Sequence, residues 1–264
     1  MATLVCFHAH PDDESIATGG VMAAAAEAGH RVVLVVATKG EHGEVEDGFL
    51  DDGETLGERR VRETHASAEV LGCAAVHFLG YVDSGMMGTP ENDLDGSFWR
   101  ADVEEAAQRL AAILRDESCD VLTVYDSNGN YGHPDHIQVH RVGVRAAELA
   151  GVTRVFEATV NQDHIRDGLR QAKDRGEWME GMPDPDADDL GLGVPASQIT
   201  HGVDVTRWID RKRASMRAHA SQIAEQSFFL AMPDDQFAMA FGTEWFTERG
   251  VPLPVESFGT SILD

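Results

Sequence analysis

Basic residues are scarce in this chain of 264: 21 lysines and arginines face 46 aspartates and glutamates, a formal charge of −25 at pH 7. That balance disfavours a polyanionic partner, because nucleic acid or an anionic membrane surface would be repelled without a local basic patch. The densest basic stretch, 207–217, reads as the solvated face of a helix. Cysteine is equally thin. Cys6, Cys73 and Cys119 are far apart, odd in number and set in apolar segments, which excludes a disulfide framework and a cysteine zinc motif and describes small buried hydrophobes in a reducing compartment. No run approaches the roughly 18 uncharged apolar residues of a membrane span, and the N-terminus enters a strand-like run without a basic n-region. No membrane association and a cytoplasmic location are therefore expected. The Gly-x-Ser-x-Gly elbow, the Gly-x-x-x-x-Gly-Lys phosphate loop and the Gly-x-Gly-x-x-Gly turn are also missing, so serine catalysis and nucleotide binding lose their support.

What is present is a rhythm. A short apolar run at 3–7 leads to an alanine-rich helical pattern at about 14–28 and a second strand-like run at 31–37. Helices near 56–71, 101–115 and 134–150 alternate with strands near 75–79, 120–125 and 154–160. This alternation predicts an α/β, Rossmann-like three-layer fold with a mostly parallel sheet, in which chemistry gathers at the carboxyl ends of the strands. Past Asn161 the rhythm changes, and a cluster of Pro, Asp and Gly at 181–195 separates the two parts. Residues 1–160 are expected to form the metal-binding catalytic domain, and residues 161–264 a smaller mixed C-terminal part that makes a lid or wall of the pocket. Within the latter, 199–205 reads as a strand and Thr206 as the cap of a helix over about 207–222.

Two short clusters share a His-Pro-Asp core: His8-Ala9-His10-Pro11-Asp12-Asp13-Glu14 after the first strand, and Tyr131-Gly132-His133-Pro134-Asp135-His136 after the fourth. Their imidazoles and carboxylates suit Zn(II) or Fe(II). A catalytic metal needs three protein ligands and an open position, and these are assigned to His10, Asp13 and His136, with water in the fourth place. Asp12, beside a ligand without being one, is the expected general base, a role typically worth about 10² to 10⁴ in rate. Pro134 suits the first position of a helix, which puts His133 at its N-cap near the positive end of the dipole. His133 is expected to stabilise the oxyanion and protonate the leaving group, with Asp135 fixing its tautomer and charge. His8 reads as a satisfied buried histidine. His140, one turn past His136, is open between ligand and packing residue, with packing favoured, and His219 is assigned to neither role.

The motifs Ala9-His10-Pro11-Asp12-Asp13-Glu14 and His133-Pro134-Asp135-His136 resemble the PIG-L or LmbE-like family of zinc-dependent N-acetylglucosaminyl deacetylases. Thr38-Lys39-Gly40-Glu41-His42-Gly43-Glu44, Tyr81-Val82-Asp83-Ser84-Gly85-Met86 and the stretch from Tyr125 to Tyr131 are similar to its actinobacterial mycothiol branch. The resemblance implies zinc on His10, Asp13 and His136, a base at Asp12, His133 on the oxyanion and leaving amine, and Tyr131 turned toward the reacting carbonyl. It further implies sugar contacts by Arg60, Asp83 and Glu44. The function it implies is hydrolysis of an N-acyl group, most simply the acetamide of a small molecule containing glucosamine, with a mycothiol S-conjugate amidase as the alternative. Two more distant readings are an Fe(II) oxygenase, which the α/β rhythm disfavours, and a non-catalytic metal- or sugar-binding protein, which would not need Asp12 and His133. No oligomeric state is assigned.

Overall fold

The computed structural model describes residues 1–176, 184–187 and 190–264. Strand β1 (Thr3–His8) is buried along its whole length, as a central strand of a covered parallel sheet must be. Its period of two sends Val5 and Phe7 to one hydrophobic layer and Leu4 and Cys6 to the other. After it come two helices, α1 (Asp13–Ala17) and α2 (Gly19–Glu27), then β2 (Arg31–Val36), α3 (Leu56–Leu71), β3 (Ala75–Phe78), α4 (Val103–Asp116) and β4 (Val121–Tyr125). A single turn, α5 (Gly129–Gly132), precedes α6 (Pro134–Ala150), β5 (Arg154–Thr159) and α7 (Gln162–Asp174). The chain ends with β6 (His201–Asp204), α8 (Ile209–Ala218), α9 (Asp234–Phe241) and β7 (Thr243–Glu248).

The strands form one sheet in the order β3-β2-β1-β4-β5-β7-β6. The first five are parallel, while β7 runs antiparallel to both β5 and β6. Helices α4 and α6 cover one face through Leu110, Val139 and Val142, and α2 and α3 cover the other through Met22 and Leu71. The expected α/β architecture is thus present, and the C-terminal strands complete the same sheet rather than standing apart from it. Of the cluster at 181–195, residues 181–183 and 188–189 lie outside the described residues. Among the described residues no helix is long and apolar enough to cross a membrane. All three cysteines are free.

Three local expectations are corrected. The helix expected over 14–28 is broken at Thr18, because Glu244 of β7 reaches in and accepts from the backbone N–H groups of Gly20 (2.7 Å) and Val21 (2.8 Å), starting α2 afresh. The helix expected to begin at Arg207 begins at Ile209, because Thr206 is held by the Asp204 carboxylate (N–H 2.9 Å, hydroxyl 2.6 Å) instead of capping, and it ends at Ala218. The basic stretch 207–217 is only partly a solvated face. Arg207 and Arg217 are exposed, but Lys212 is fully buried with its ammonium 2.6 Å from Glu244, and Arg213 is buried and pairs with Asp234.

Candidate active site

Strands β1 and β4 are neighbours whose following segments turn to opposite sides of the sheet, and this reversal opens a crevice above their carboxyl ends. Both histidine clusters enter it. After β1 the backbone turns sharply at Asp12, which holds φ at 98°, a conformation rare for a residue with a side chain. The Asp12 carbonyl accepts from the N–H groups of Ser15 and Ile16, starting α1, while the N–H of His10 donates to Asp13 Oδ2 (2.8 Å). After β4, Gly129 sits at φ 64° with the site of a Cβ 2.7 Å from the Cβ of His136, so only glycine lets this loop close over the start of α6. His133 is the N-cap, its Nδ1 accepting from the N–H of Asp135 (3.1 Å), and Pro134 opens the helix. His136 in the first turn stacks on the ring of Tyr125, with centroids 4.3 Å apart.

Asp13 faces both imidazoles, one oxygen to each: Oδ2 lies 3.4 Å from Nδ1 of His10 and Oδ1 lies 3.4 Å from Nε2 of His136. These spacings are long for charge-assisted hydrogen bonds. They run to different oxygens, so the carboxylate of Asp13 spans the gap between the two rings. Four carboxylates, Asp12, Asp13, Asp83 and Asp135, gather around these imidazoles, with Arg60 on Asp12 at 3.3 Å. Among the described residues, two groups have one donor atom each within 4.8 Å of one another: His10, His133 and His136, and His10, Asp83 and Asp135. Asp13 belongs to neither group, although it lies between His10 and His136.

The far nitrogen of His10, Nε2, lies 3.1 Å from Asp135 Oδ2 and 3.5 Å from Asp83 Oδ1. Here the structure departs from the expected pairing of Asp135 with His133. The Asp135 carboxylate is turned away by the buried Ser84, whose N–H (2.9 Å) and hydroxyl both donate to it, and so it orients His10, as carboxylates do for metal-bound histidines. Burial opposes charge on His10, yet Asp13, Asp135 and Asp83 hold its affinity for a proton well above the ordinary imidazole range. Asp13 is held well below the usual carboxylate range, its burial outweighed by His136 and His10. Asp12 is pushed up to about 6 by burial, against the opposing charge of Arg60. His133 is pushed down to about 4 by burial and by the neighbouring His10 and His136. It is therefore neutral near pH 7, with its proton on Nε2 because Nδ1 accepts from the backbone, in contrast to the protonated ring expected from sequence.

Tyr131 stands at the rim, 47% exposed, with its hydroxyl 3.5 Å from Nε2 of His136 and its proton held more tightly than usual by burial. Asp83 is buried and accepts from the N–H groups of Gly85 (2.9 Å) and His42 (3.2 Å); these and His10 outweigh burial and lower its pKa. Glu44 is exposed, and its backbone carbonyl accepts from Gln222 of the C-terminal part. Arg60 is 3% exposed and already engaged: Nη1 donates to the Gly40 carbonyl (2.8 Å), and Nη2 to the Pro11 carbonyl (2.5 Å) and Asp12 Oδ2 (3.3 Å). His8 bonds Tyr125 and Thr18, both at 2.8 Å, and His140 bonds the Tyr125 carbonyl, so both are packed side chains. Ser84, Tyr125 and Glu14 carry structural duties at the site that residue-type reasoning passed over. Only their places inside the quoted motifs marked them.

A Rossmann-like sheet with clustered histidine and aspartate donors and a strained aspartate at its topological reversal defines a candidate metal-dependent enzyme. A family model, PIG-L, GlcNAc-PI de-N-acetylase, matches residues 5–147. A 1D-myo-inositol 2-acetamido-2-deoxy-alpha-D-glucopyranoside deacetylase from Acidothermus cellulolyticus is 41% identical, covering 96% of this chain and 90% of its own. A protein of the same name from Thermomonospora curvata is 40% identical, covering 91% of this chain and 88% of its own. The chain belongs to the PIG-L family. The fold is also that of the N,N'-diacetylchitobiose deacetylase from Pyrococcus horikoshii, with TM-score 0.58 at 21% identity over 93% of this chain and 83% of that one. A deacetylase of teicoplanin biosynthesis shares it with TM-score 0.62 at 16% identity over 97% of this chain and all, 100%, of that one.

Proposed function

We propose that this protein is a metal-dependent amide hydrolase that removes the acetyl group from a small molecule containing N-acetylglucosamine, with an inositol α-glycoside as substrate and zinc as the metal. The observation that carries this reading is the cluster of buried imidazoles, His10, His133 and His136, with Asp13 between His10 and His136 and the strained Asp12 beside it. Relatives at about 40% identity that are named deacetylases of the inositol glucosaminide support the substrate and favour it over a thiol conjugate. Zinc held by His10, Asp13 and His136, or Fe(II) in its stead, would polarise the acetamide carbonyl and acidify the attacking water.

The chain's own residues then have separable tasks. Asp12, with a pKa near neutrality, takes the proton of the attacking water and returns it to the departing amine. His133 donates its Nε2–H to the carbonyl oxygen as negative charge develops there, and the Asp135 N–H on Nδ1 keeps that tautomer. Tyr131, neutral at working pH, is a second donor from the rim. Asp135 holds His10, while Asp83 and Glu44 receive sugar hydroxyls. Arg60, its Nη groups already engaged, serves by bracing Asp12 and the loop at Gly40 rather than by gripping the sugar. The part from residue 161 onward forms one wall of the pocket through the 219–222 segment, and the reaction is placed in the cytoplasm.

The test is amine release from N-acetylglucosamine, its inositol glycoside and a thiol-conjugate derivative, using metal-stripped protein reloaded with zinc or iron and His136→Ala as the control. Metal-dependent release from the inositol glycoside is expected. Release from the thiol conjugate alone would assign the amidase, and no release from any of them would overturn the reading.

A further inference from the structure

His219 and Glu14 are separated by 205 residues in sequence, yet both are wholly buried and in contact, Nε2 to Oε1 at 2.6 Å. The Ser67 hydroxyl (2.6 Å) and the Ser15 hydroxyl (3.2 Å) donate to the same oxygen. The other oxygen, Oε2, accepts from the backbone N–H of Asp12 (3.1 Å). The carboxylate is thus fixed from the C-terminal side by His219 and presents its free edge to the one amide that must point inward if Asp12 is to keep φ at 98°. His219 itself is held where α8 ends: Gln222 and Ile223 donate back to its carbonyl, and Ser221 is bonded to Glu63 of α3 through its N–H (2.9 Å) and hydroxyl (2.6 Å). Its Nδ1 is buried without a hydrogen-bond partner, so Glu14 is the group the ring serves.

We propose that His219 and Glu14 are positioning residues for Asp12, and that through His219 the C-terminal part aims the base of the reaction, neither of these two buried side chains touching substrate. The proposal rests on the reading of Asp12 as that base. An anchor needed only for folding would be satisfied by donors on either oxygen. Here three donors converge on one oxygen and leave the other to Asp12, a charge-assisted bond to a strained backbone. Without His219 the carboxylate keeps only its two serine donors and can turn with them, the Asp12 amide loses its acceptor, and the backbone relaxes toward ordinary φ, carrying the Asp12 carboxylate off its line.

The experiment compares His219→Leu and His219→Gln, each alone and combined with Asp12→Ala, in zinc-loaded full-length protein. It reads kcat, KM, zinc per chain and the crystallographic φ of Asp12. For His219→Leu we expect kcat to fall about 10- to 100-fold with KM and zinc content unchanged, because a displacement near 1 Å costs on that order. His219→Gln, which keeps a donor toward Glu14, should recover most of the loss. In the Asp12→Ala background neither substitution should lower the residual rate further, a non-additivity that a merely structural role would not produce. Equal fractional losses with and without Asp12, or an unmoved Asp12 in His219→Leu, would overturn the proposal. If the wild-type protein releases no amine, the functional reading fails, and the φ of Asp12 in the variant still decides the positioning. Should His219→Leu fail to fold, Ser67→Ala removes another donor from the same oxygen and is expected to give a smaller loss, again in kcat and not in KM; a loss in KM instead would count against the pair.

Discussion

Replacing Arg60 with methionine separates a brace from a substrate contact. The guanidinium supplies the donors seen at the carbonyls of Gly40 and Pro11, and losing a donor to a buried carbonyl costs about 1 to 3 kcal/mol each, so a stability loss of roughly 2 to 6 kcal/mol is expected. It also removes the positive charge 3.3 Å from Asp12. An opposite charge at such range lowers a carboxylate pKa by about 1 to 3 units, so an Asp12 near 6 with Arg60 present should move to roughly 7 to 9 without it. The sign follows from the base needing to be ionised: the acid limb of kcat moves to higher pH. At pH 7 a pKa of 6 leaves about nine tenths of the base ionised and a pKa of 8 about one tenth, so kcat falls roughly tenfold at pH 7 and recovers near pH 9. The assay is kcat and KM against pH for wild type, Arg60→Met and Arg60→Lys. Lysine, a point charge without the fork, should restore part of the limb but not both carbonyl contacts. An increase in KM with kcat and its acid limb in place would refute this reasoning and return Arg60 to the sugar.

Lys212→Met should destabilise the protein by about 3 to 5 kcal/mol in urea unfolding, because Glu244 is left as a buried carboxylate, whereas the Lys212→Met, Glu244→Gln double variant should lose less than the sum of the single changes. Additive losses would mean the pair is not energetically coupled. His8, pushed from 6.5 down to about 4 by burial, is neutral in the folded state while the unfolded chain takes up a proton below 6.5. Its stabilising contribution is complete above that value and is lost as pH falls toward 4, a gap of 6.5 − 4 = 2.5 units worth about 3 kcal/mol. Urea midpoints of His8→Gln should accordingly fall less than those of wild type between pH 7 and 4, and parallel curves would contradict the burial argument. His133→Ala should lower kcat by about 10² to 10³, the cost typical of losing an oxyanion donor, with no change in the limbs of the pH profile between about 6 and 8, since His133 itself titrates near 4. Disappearance of a limb in that window would make His133 a proton carrier after all.

Much of the frame is legible in sequence because it is set by local chemistry. The apolar runs of β1, β2 and β4 and the capping box of α3, Thr55 with Glu58, need no distant partner, and α3 spans Leu56–Leu71 as its periodicity predicts. His133-Pro134 likewise announces the start of α6. What is not legible depends on groups far along the chain. The break at Thr18 is made by Glu244, 224 residues after Gly20, and the same carboxylate buries Lys212 in a helix whose composition reads as solvated. His219 remains without a role until Glu14 is beside it. The direction of Asp135 depends on Ser84 coming from another loop, and the neutrality of His133 on burial beside two other imidazoles, neither of which periodicity encodes.

These distant contacts converge on one short segment, residues 10 to 20, which carries the proposed base and two of the three proposed metal ligands. A side-chain-bearing residue at positive φ costs about 1 to 3 kcal/mol and persists only where its surroundings over-determine it. Asp12 is over-determined from two directions: Arg60 of α3 grips the carbonyl before it and its carboxylate, and Glu14, fixed by His219, grips its amide. Glu244 and Lys212 then lock the start of α2, so the segment cannot relieve the strain by sliding into the continuous helix that its alanines favour. Loss of either clamp on Asp12 should therefore leave the fold standing while the base drifts, whereas removal of the Glu244 carboxylate is what should let α1 and α2 merge. The C-terminal part belongs to the site for this reason as much as for any wall it provides, because three of the locking side chains, Lys212, His219 and Glu244, come from it.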